Sequence, residues 1–361
     1  MDNLRLFSTE TEYNTSKSGF EYPTVSYVES NDTVYYMTLR EKYTNEYLTF
    51  EALEDGTFTL TIPANVDSTY MTSVSYSTDN GETWTDTVID NTAQTITTPT
   101  INAGDKVLWK GVGKQMTKST YDNNFSYFSS TGNFNVSGNI MSLLYGDEFA
   151  NQVVFPSGST YNFCSLFRYN NKLISVENLI LPATTLKNYC YNYMFNGCAA
   201  LITAPELPAT TLAKVCYTSM FFGCRSLTTA PELPATTLAQ TCYDDMFNGC
   251  KSLTEAPVLP ATTLAAYCYS GMFSGCTSLT TAPELPATTL AMSCYQNMFN
   301  GCSNLNYIKA MFTTTPATSY TSNWVKNVAS TGTFVKNSAA QWDVSGVHGV
   351  PTGWTVETAS A

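Results

Sequence analysis

The chain has 361 residues, of which 43% are hydrophobic and 13% charged, with a formal net charge of -12 at pH 7. This apolar share supports a packed core and argues against intrinsic disorder. The acidic balance and the 17 unclustered Lys and Arg argue against binding to nucleic acid or to an anionic membrane surface. No long, uninterrupted apolar stretch occurs, so we expect no membrane insertion.

Residues 1–46 are polar, rich in tyrosine and low in apolar periodicity. One strand pair is predicted there, at Thr24 to Val28 and Thr33 to Met37. The start of the chain contains no apolar run, so we expect no secretory signal. Two interpretations stay open for this segment, an attachment arm and a loosely ordered leader.

Residues 47–145 contain short β-rich runs that alternate with turn signals such as Gly56 and Ala103-Gly104-Asp105. This alternation predicts an antiparallel β-sandwich of the immunoglobulin-like type. Within it, Ser77 to Trp84 resembles the Asp-box of sialidases, Ser-x-Asp-x-Gly-x-Thr-Trp. A single copy predicts a β-hairpin with Asp79-Asn80-Gly81 as its turn, and no catalytic role.

Residues 146–320 carry an internal repeat, which predicts a solenoid. Leu-Pro-Ala-Thr-Thr-Leu begins at Leu181, Leu207, Leu233, Leu259 and Leu285, so successive copies differ by 26 in residue number. A unit this short cannot bury its own hydrophobic face, so each copy must stack on its neighbours and equivalent residues must form columns. The predicted fold class is therefore mainly β, with short helical or irregular convex segments, a β-sandwich and then the solenoid.

Columns that do not vary among the copies are predicted to face the core. They contain Leu186, Gly197, Leu201 and their equivalents, together with Met194, Phe195, Cys198, Met220, Cys224, Met246, Phe247, Cys250, Met272, Phe273, Cys276, Met298, Phe299 and Cys302. The glycine column, which begins at Gly197, is predicted to have positive φ.

Columns that vary, including the two residues after each repeat tyrosine, are predicted to point outward and to form the interaction surface. The candidates are Lys187, Tyr189, Tyr193, Lys214, Asp244, Asp245 and Tyr267, with Glu206, Glu232 and Glu284 as a solvated rim. These exposed positions are small and polar in most copies, and we expect no aromatic platform.

Ten of the 11 cysteines fall into two columns that begin at Cys190 and Cys198, and Cys164 fits neither. Stacked columns hold side chains parallel, whereas a disulfide needs Cβ atoms close together and pointing at each other. We expect free buried thiols, with disulfides left open. Because there is no Cys-x-x-Cys pair and His348 is the one histidine, no zinc site is predicted.

Both ends of the repeat are predicted to be capped. Phe155 to Leu181 is a degenerate first unit, with Leu166-Phe167 in place of Met-Phe and Leu173 as the strand leucine. At the other end, residues 321–361 are aromatic and glycine-rich, and we expect them to fold over the open edge.

The residues that common catalytic sites require are missing from the sequence pattern. His348 has no neighbouring acid and no nucleophile motif, and no glycine-rich phosphate cradle occurs. We therefore expect no enzyme activity, no cofactor and no metal. A carbohydrate-active enzyme that uses two carboxylates stays open as a third hypothesis.

The unit Phe-x-Gly-Cys-x-x-Leu-x-x-Ala-Pro-x-Leu-Pro resembles the BspA-like, or Treponema-type, leucine-rich repeats over residues 143–312. Two departures are a unit a few residues longer and a second proline at Pro205 and its equivalents, which predicts a short strand. The flanks, among them Gly138 to Asp147 and Gly332 to Asn337, resemble proteins encoded by gut Bacteroidales and their phages or prophages.

These resemblances imply a phage virion protein, of the fibre or decoration type, that uses its solenoid for adhesion to a host-surface glycan or protein. Other virion proteins are expected to bind the N-terminal arm, and a homo-oligomer is left open. The alternative is a bacterial cell-surface adhesin of the same repeat family.

Overall fold

A computed structural model describes residues 45–64, 66–90, 92–118 and 124–359, together with the backbone of 24–28 and 34–38. Over this range the protein is mainly β, with several sheets and few helical residues. Strands β1 (Thr24–Val28) and β2 (Val34–Thr38) form an antiparallel pair, which confirms the predicted strand pair to within one residue. The rest of the predicted arm lies outside the described residues.

Two sheets make up the N-terminal sheet region, residues 45–141. Its strands are β3 (Leu48–Ala52), β4 (Phe58–Ile62), β5 (Met71–Ser77), β6 (Thr85–Val88), β7 (Gln94–Thr97), β8 (Lys106–Gly113), β9 (Tyr127–Ser130) and β10 (Phe134–Asn139). The larger sheet contains β10, β3, β8, β5 and β6 in that order, and the smaller sheet contains β7, β4 and β9. Within each sheet these neighbours pair antiparallel.

The two sheets share one hydrophobic core. Phe50 in the larger sheet and Phe58 in the smaller one lie with ring centroids 5.3 Å apart, and Trp109 is completely buried beside Phe50. Strand β4 alternates buried and half-buried residues, the period of two that places one face of a strand against a core. Large aromatic side chains therefore hold the sheets together.

The predicted hairpin at Ser77 to Trp84 is present between β5 and β6. The Asp79 carboxylate accepts hydrogen bonds from the Ser77 hydroxyl and from the Thr83 amide, at 2.7 and 2.9 Å. Asn80 and Gly81 take positive φ, as a tight turn requires. The predicted hairpin with Asp79-Asn80-Gly81 as its turn is thus confirmed.

After β10 the chain makes a one-turn helix, α1 (Ser142–Tyr145), a 3₁₀ turn (Gly146–Glu148) and two short strands, β11 (Leu173–Ser175) and β12 (Leu179–Ile180). Both short strands pair in parallel with β10. The larger sheet therefore continues across the predicted boundary at residue 145. The first repeat copy is built directly on the N-terminal sheet region.

The repeat region, residues 155–326, is a stack of similar coils, each about one repeat unit long. In residues 241–250, one backbone amide in two donates to a carbonyl of the next coil, as Phe247 does to Met272 at 2.9 Å. Four of the five intervening amides donate to the carbonyl three residues back, as Cys250 does to Phe247 at 3.0 Å. Consecutive turns in one coil are thereby cross-linked to the same turns in the next.

These turns require left-handed backbone at every fourth residue. The repeat glycines have φ between 72° and 80°, which confirms their predicted conformation. Two further positions in each coil are left-handed without needing glycine, for example Thr241 at 60° and Asp245 at 53°. These two columns carry no glycine signal because residues other than glycine occupy all but one of their repeat positions, the exception being Gly271.

Identical side chains stack from coil to coil inside the repeat region. The phenylalanine rings that begin at Phe195 lie 5.5 to 5.9 Å apart with planes within 12° of each other. A second column, which begins at Tyr191, is also buried and stacked. The predicted core omitted these tyrosines. It also included the Leu186 column, whose later members, such as Leu212 and Leu238, are half-buried.

The C-terminal residues continue the stack. Ser293, Tyr295 and Phe299 donate to carbonyls of residues 319–324, which include helix α2 (Thr318–Thr321). Strands β13 (Tyr307–Ala310), β14 (Thr333–Lys336) and β15 (Thr355–Thr358) then form a parallel sheet. Strand β14 pairs along the edge of β13 and Trp324 stacks on Tyr295, so this segment covers the end of the regular repeat by continuing the stack, and β15 is exposed along its whole length.

Candidate functional site

Surface aromatic residues gather on the first two coils of the repeat region. Tyr161 and Tyr189 stack face to face, with ring centroids 4.5 Å apart and planes within 10°. Tyr169 is 61% exposed and lies in the column that contains glycine in the later coils. This corrects the expectation that the repeat carries no aromatic platform. The platform uses residues of the degenerate first coil, which the regular repeat pattern does not cover.

Arg168 lies at the centre of the aromatic cluster. Its guanidinium carbon is 5.3 Å from the ring centre of Phe125, 4.7 Å from that of Tyr169 and 4.8 Å from that of Tyr193. One terminal nitrogen donates to the Tyr169 hydroxyl at 2.9 Å. Such contacts between a cation and ring faces hold a long side chain in one orientation. We call Arg168, Phe125, Tyr169 and Tyr193 the arginine–aromatic cluster.

Tyr193 is the predicted surface residue that joins this cluster, and it is half-buried. Burial raises the pKa of its hydroxyl, so the side chain stays neutral and able to donate a hydrogen bond. The hydroxyl lies near Ser219 on the next coil, and the carboxylate of Asp244 is close enough to affect its charge state. The surface around Tyr193 thus extends along the stack from the positively charged Arg168 to the acidic Asp244.

Asp244 and Asp245 form that acidic end, and both are half-buried. Burial, opposed by a hydrogen bond from Ser270 and assisted by repulsion from Asp245, raises the pKa of Asp244 to about 6. Burial also raises the pKa of Asp245, opposed by a hydrogen bond from Asn248 at 2.8 Å. Asp245 has room because its coil neighbour in the same column is Gly271.

The other predicted surface residues lie apart from the arginine–aromatic cluster in the contacts that the structure shows. Lys187 and Lys214 are exposed, and Tyr267 is half-buried two coils further along its column than Val215. Glu206, Glu232 and Glu284 are exposed, and Glu284 pairs with Lys309 of β13 at 3.0 Å. The candidate set therefore divides between two surfaces of the coil.

Part of the expected outward surface is buried. Of the pairs that follow the repeat tyrosines, Asn192, Thr218 and Ser219 are at most 6% exposed. Their burial has a physical reason, because small polar side chains fit between coils and can bond there, as the Thr218 hydroxyl does in donating to the Thr241 carbonyl. The variable columns therefore contain small polar residues that pack in the interior as well as residues that face solvent.

The repeat cysteines are all buried, with free thiols. Each thiol of the second column donates to the carbonyl of a phenylalanine in the preceding coil, as Cys250 does to Phe221 at 3.1 Å. Burial raises the pKa of these thiols, so they remain protonated donors. Cys164 lies outside both columns because the first coil is longer than the regular unit, as the stacking of Phe167 on Phe195 shows.

His348 also has a structural contact. Its Nδ1 accepts a hydrogen bond from the amide of Asn323 at 3.2 Å, and the Thr321 hydroxyl donates to its carbonyl at 2.8 Å. The Asn323 amide is equivalent to amides that donate to the next coil elsewhere, such as that of Asn297. The half-buried His348 thus closes the last regular turn.

The chain matches no protein-family model, no curated protein and no solved structure in comparisons with known proteins. In the part of the chain that the structure describes, no helix is long and apolar enough to cross a membrane. The Met, Phe, Tyr and Cys columns that repeat with little or no change lie in the core, whereas the unchanged Thr pair that begins at Thr184 is exposed. Among the described residues, the exposed aromatic side chains are Tyr169 on the first coil and Phe222 on the third.

Proposed function

We propose that this protein is a non-enzymatic structural component of a phage particle, which displays its repeat region for adhesion to the host surface. In this proposal the N-terminal sheet region is an immunoglobulin-like β-sandwich. The repeat region is a leucine-rich-repeat solenoid of the BspA-like type. The N-terminal arm would attach the chain to other virion proteins.

The repeat chemistry supports the solenoid and the absence of catalysis. Residues with chemically reactive groups that recur in every coil, such as Cys250 and Tyr243, are completely or almost completely buried and serve packing. The Cys250 thiol donates to a main-chain oxygen, so it is not free to act as a nucleophile. Regular stacking of coils also presents an extended surface, which suits binding to a large partner.

The single observation that carries the adhesive role is the arginine–aromatic cluster on the first two coils. An exposed tyrosine ring, that of Tyr169, beside an orientated arginine is typical of recognition surfaces, where rigid side chains bind at low entropic cost. Placement on a phage particle rests on the resemblance of the flanking segments, and the bacterial cell-surface adhesin is the alternative that the same surface would serve.

Mass spectrometry of purified phage particles and of outer-membrane fractions from the same culture tests the placement. We expect peptides of this chain in the particles. Recovery in the membrane fraction alone would favour the cell-surface alternative. Adhesion is tested separately, by binding of the purified full chain to host cells, and release of sugars from those cells would contradict a non-enzymatic role.

A further inference from the structure

The sign of the charge at the arginine–aromatic cluster differs from that of the protein as a whole. The chain has a net charge of -12, yet Arg168 has no carboxylate within ion-pairing distance among the described residues. An arginine that serves only stability is usually paired with an acid when it is partly buried. Here three aromatic rings position the guanidinium instead.

The orientation of Arg168 leaves a defined part of it for a ligand. Its Nε is enclosed and one terminal nitrogen donates to the Tyr169 hydroxyl, so the N–H groups left for a ligand are the remaining ones on the two terminal nitrogens. A planar guanidinium edge matches a carboxylate, which can accept two parallel hydrogen bonds from it. The geometry therefore favours a carboxylate-bearing ligand over a neutral one.

Tyr169 supplies the second element of a ligand site. Its ring lies against the backbone of Gly197, where an added Cβ would approach the ring to 2.4 Å. One face of the ring is therefore covered by the protein, and the residue is still 61% exposed. The electron-rich face of an aromatic ring suits the C–H face of a sugar ring.

We propose that the arginine–aromatic cluster binds an acidic sugar of a host-surface glycan, with the carboxylate on Arg168 and the sugar ring on Tyr169. The proposal rests on the adhesive function above and names its ligand class. The stacked pair Tyr161 and Tyr189, on the same two coils, offers a second ring surface for a neighbouring sugar. An uronic acid and a sialic acid share the required chemistry.

Two pairs of probes distinguish the acidic sugars from their neutral counterparts. Trigalacturonic acid is compared with its methyl ester, and 3′-sialyllactose with lactose, by isothermal titration of the full chain. We expect at least one acid to bind about tenfold or more tightly than its neutral counterpart, the order of effect of a charge-assisted bidentate pair. Equal binding of both members in each pair would overturn the proposal.

The repeat provides a matched control for the charge. Arg168 and Lys326 occupy equivalent positions at opposite ends of one column, and Lys326 is exposed. Arg168→Gln is expected to abolish the preference for the acid, whereas Lys326→Gln, with the same change in net charge, should alter affinity less than twofold. An Arg168→Gln variant that keeps the preference would contradict the proposal.

Tyr169→Gly tests the ring in a variant that the fold accommodates, because glycine occupies this left-handed column in the five later coils. We expect about a fivefold or greater loss of affinity for the acid and its neutral counterpart alike, since stacking is common to both. Unchanged affinity would overturn the assignment of Tyr169. Near-ultraviolet circular dichroism checks that each variant is folded.

Adhesion and the ligand class can fail separately. If wild-type protein binds host cells and Arg168→Gln binds them equally well, the acidic-sugar proposal is wrong while adhesion stands. Absence of wild-type binding to host cells contradicts the proposed function itself. Displacement of the sugar by polyglutamate at equal carboxylate concentration would indicate an acidic protein partner and overturn the glycan assignment.

Discussion

Phe50 in the N-terminal sheet region contacts five aromatic rings at angles from 44° to 79°, whereas Phe247 in the repeat region contacts two at angles of 1° and 9°. The core of the N-terminal sheet region contains different aromatic side chains, and each of their contacts occurs once. The core of the repeat region contains one type of ring contact, which recurs from coil to coil along the stack. Both cores bury aromatic side chains, but we expect a substitution to affect more of the N-terminal sheet region than of the repeat region.

The contrast also extends to the backbone. Strands of the N-terminal sheet region pair antiparallel over most of their length, as β8 does with both of its neighbours. The repeat region satisfies its amides with turns and with bonds to adjacent coils. Loss of a side chain in the sheets should therefore weaken the whole region, while loss in a coil should weaken that coil and its two neighbours.

The largest expected effect is that of Phe50→Ala, at about 3–5 kcal/mol of unfolding free energy. Phe50 also contacts Phe167 of the first coil, so the loss should spread from the sheets into the repeat. Urea unfolding measures the size, and hydrogen exchange by mass spectrometry shows its extent.

Phe247→Ala is the matched change within the repeat, with a similar cost expected. Faster hydrogen exchange should be confined to its own coil and the adjacent ones. Equal spreading in the two variants would remove the distinction between the regions.

The thiol columns give an intermediate effect. Cys250 and Cys268 are both completely buried, but only the Cys250 thiol has a carbonyl acceptor among the described contacts, that of Phe221. We expect Cys250→Ala to cost about 1 kcal/mol more than Cys268→Ala, the order of one buried hydrogen bond. Thermal unfolding measures the stability lost in each variant. Equal losses would indicate that the Cys250 side chain stabilises the protein only by filling space.

Glycine substitutions compare the turns of the two regions. Gly249 in the repeat has φ of 76°, and Gly104 between β7 and β8 has φ of 91°. An added Cβ would meet the Gly223 Cα at an ordinary 3.6 Å in the first case and nothing within 4 Å in the second. Both Gly249→Ala and Gly104→Ala should therefore cost about 1 kcal/mol from backbone strain. A much larger cost for Gly249→Ala would show that the stacked column tolerates no methyl group.

The smallest expected effects are changes in how stability depends on pH, and these have opposite signs in the two regions. Asp244 has a folded-state pKa of about 6, above its unfolded value, because of burial first and Asp245 second. Its stabilising contribution is complete below pH 3.8 and is lost as the pH rises through 6. Asp244→Asn should remove this dependence and raise stability at neutral pH by about 1 kcal/mol after allowance for solvent.

Asp79 behaves in the opposite sense. Hydrogen bonds from Thr83, then Ser77, lower its pKa to about 2, so its contribution is present above pH 3.8 and is lost as the pH falls through 2. Asp79→Asn should therefore weaken the hairpin at neutral pH and have less effect in strong acid. The same direction of pH dependence in both aspartate variants would contradict these assignments.

Much of the repeat could be predicted because its signal is spacing. Met194, Phe195 and Cys198 recur at a fixed step, and a residue that must fit an identical slot in every coil cannot vary. The hairpin at Ser77 to Trp84 was predictable for a different reason, since its turn chemistry is local and complete within one short segment.

The arginine–aromatic cluster could not be predicted, because it breaks the spacing. The first coil is slightly longer than the regular unit, so Arg168 and Tyr169 align with Asn196 and Gly197 and not with the residues at the regular step. Phe125 comes from the N-terminal sheet region, and its contact with Arg168 depends on how that region meets the repeat. Such contacts between distant segments have no periodic signature.

In the regular turn segments, such as residues 241–250, the amides that bond outside their own coil donate toward the following coil, and each of these coils offers equivalent carbonyl acceptors to the one before it. One regular coil could therefore replace another without loss of these hydrogen bonds. Recombination between neighbouring copies would add or remove one whole repeat unit while leaving both terminal junctions intact. We expect the length of the stack to change in steps of roughly 5 Å, the spacing between hydrogen-bonded strands, without a change of fold.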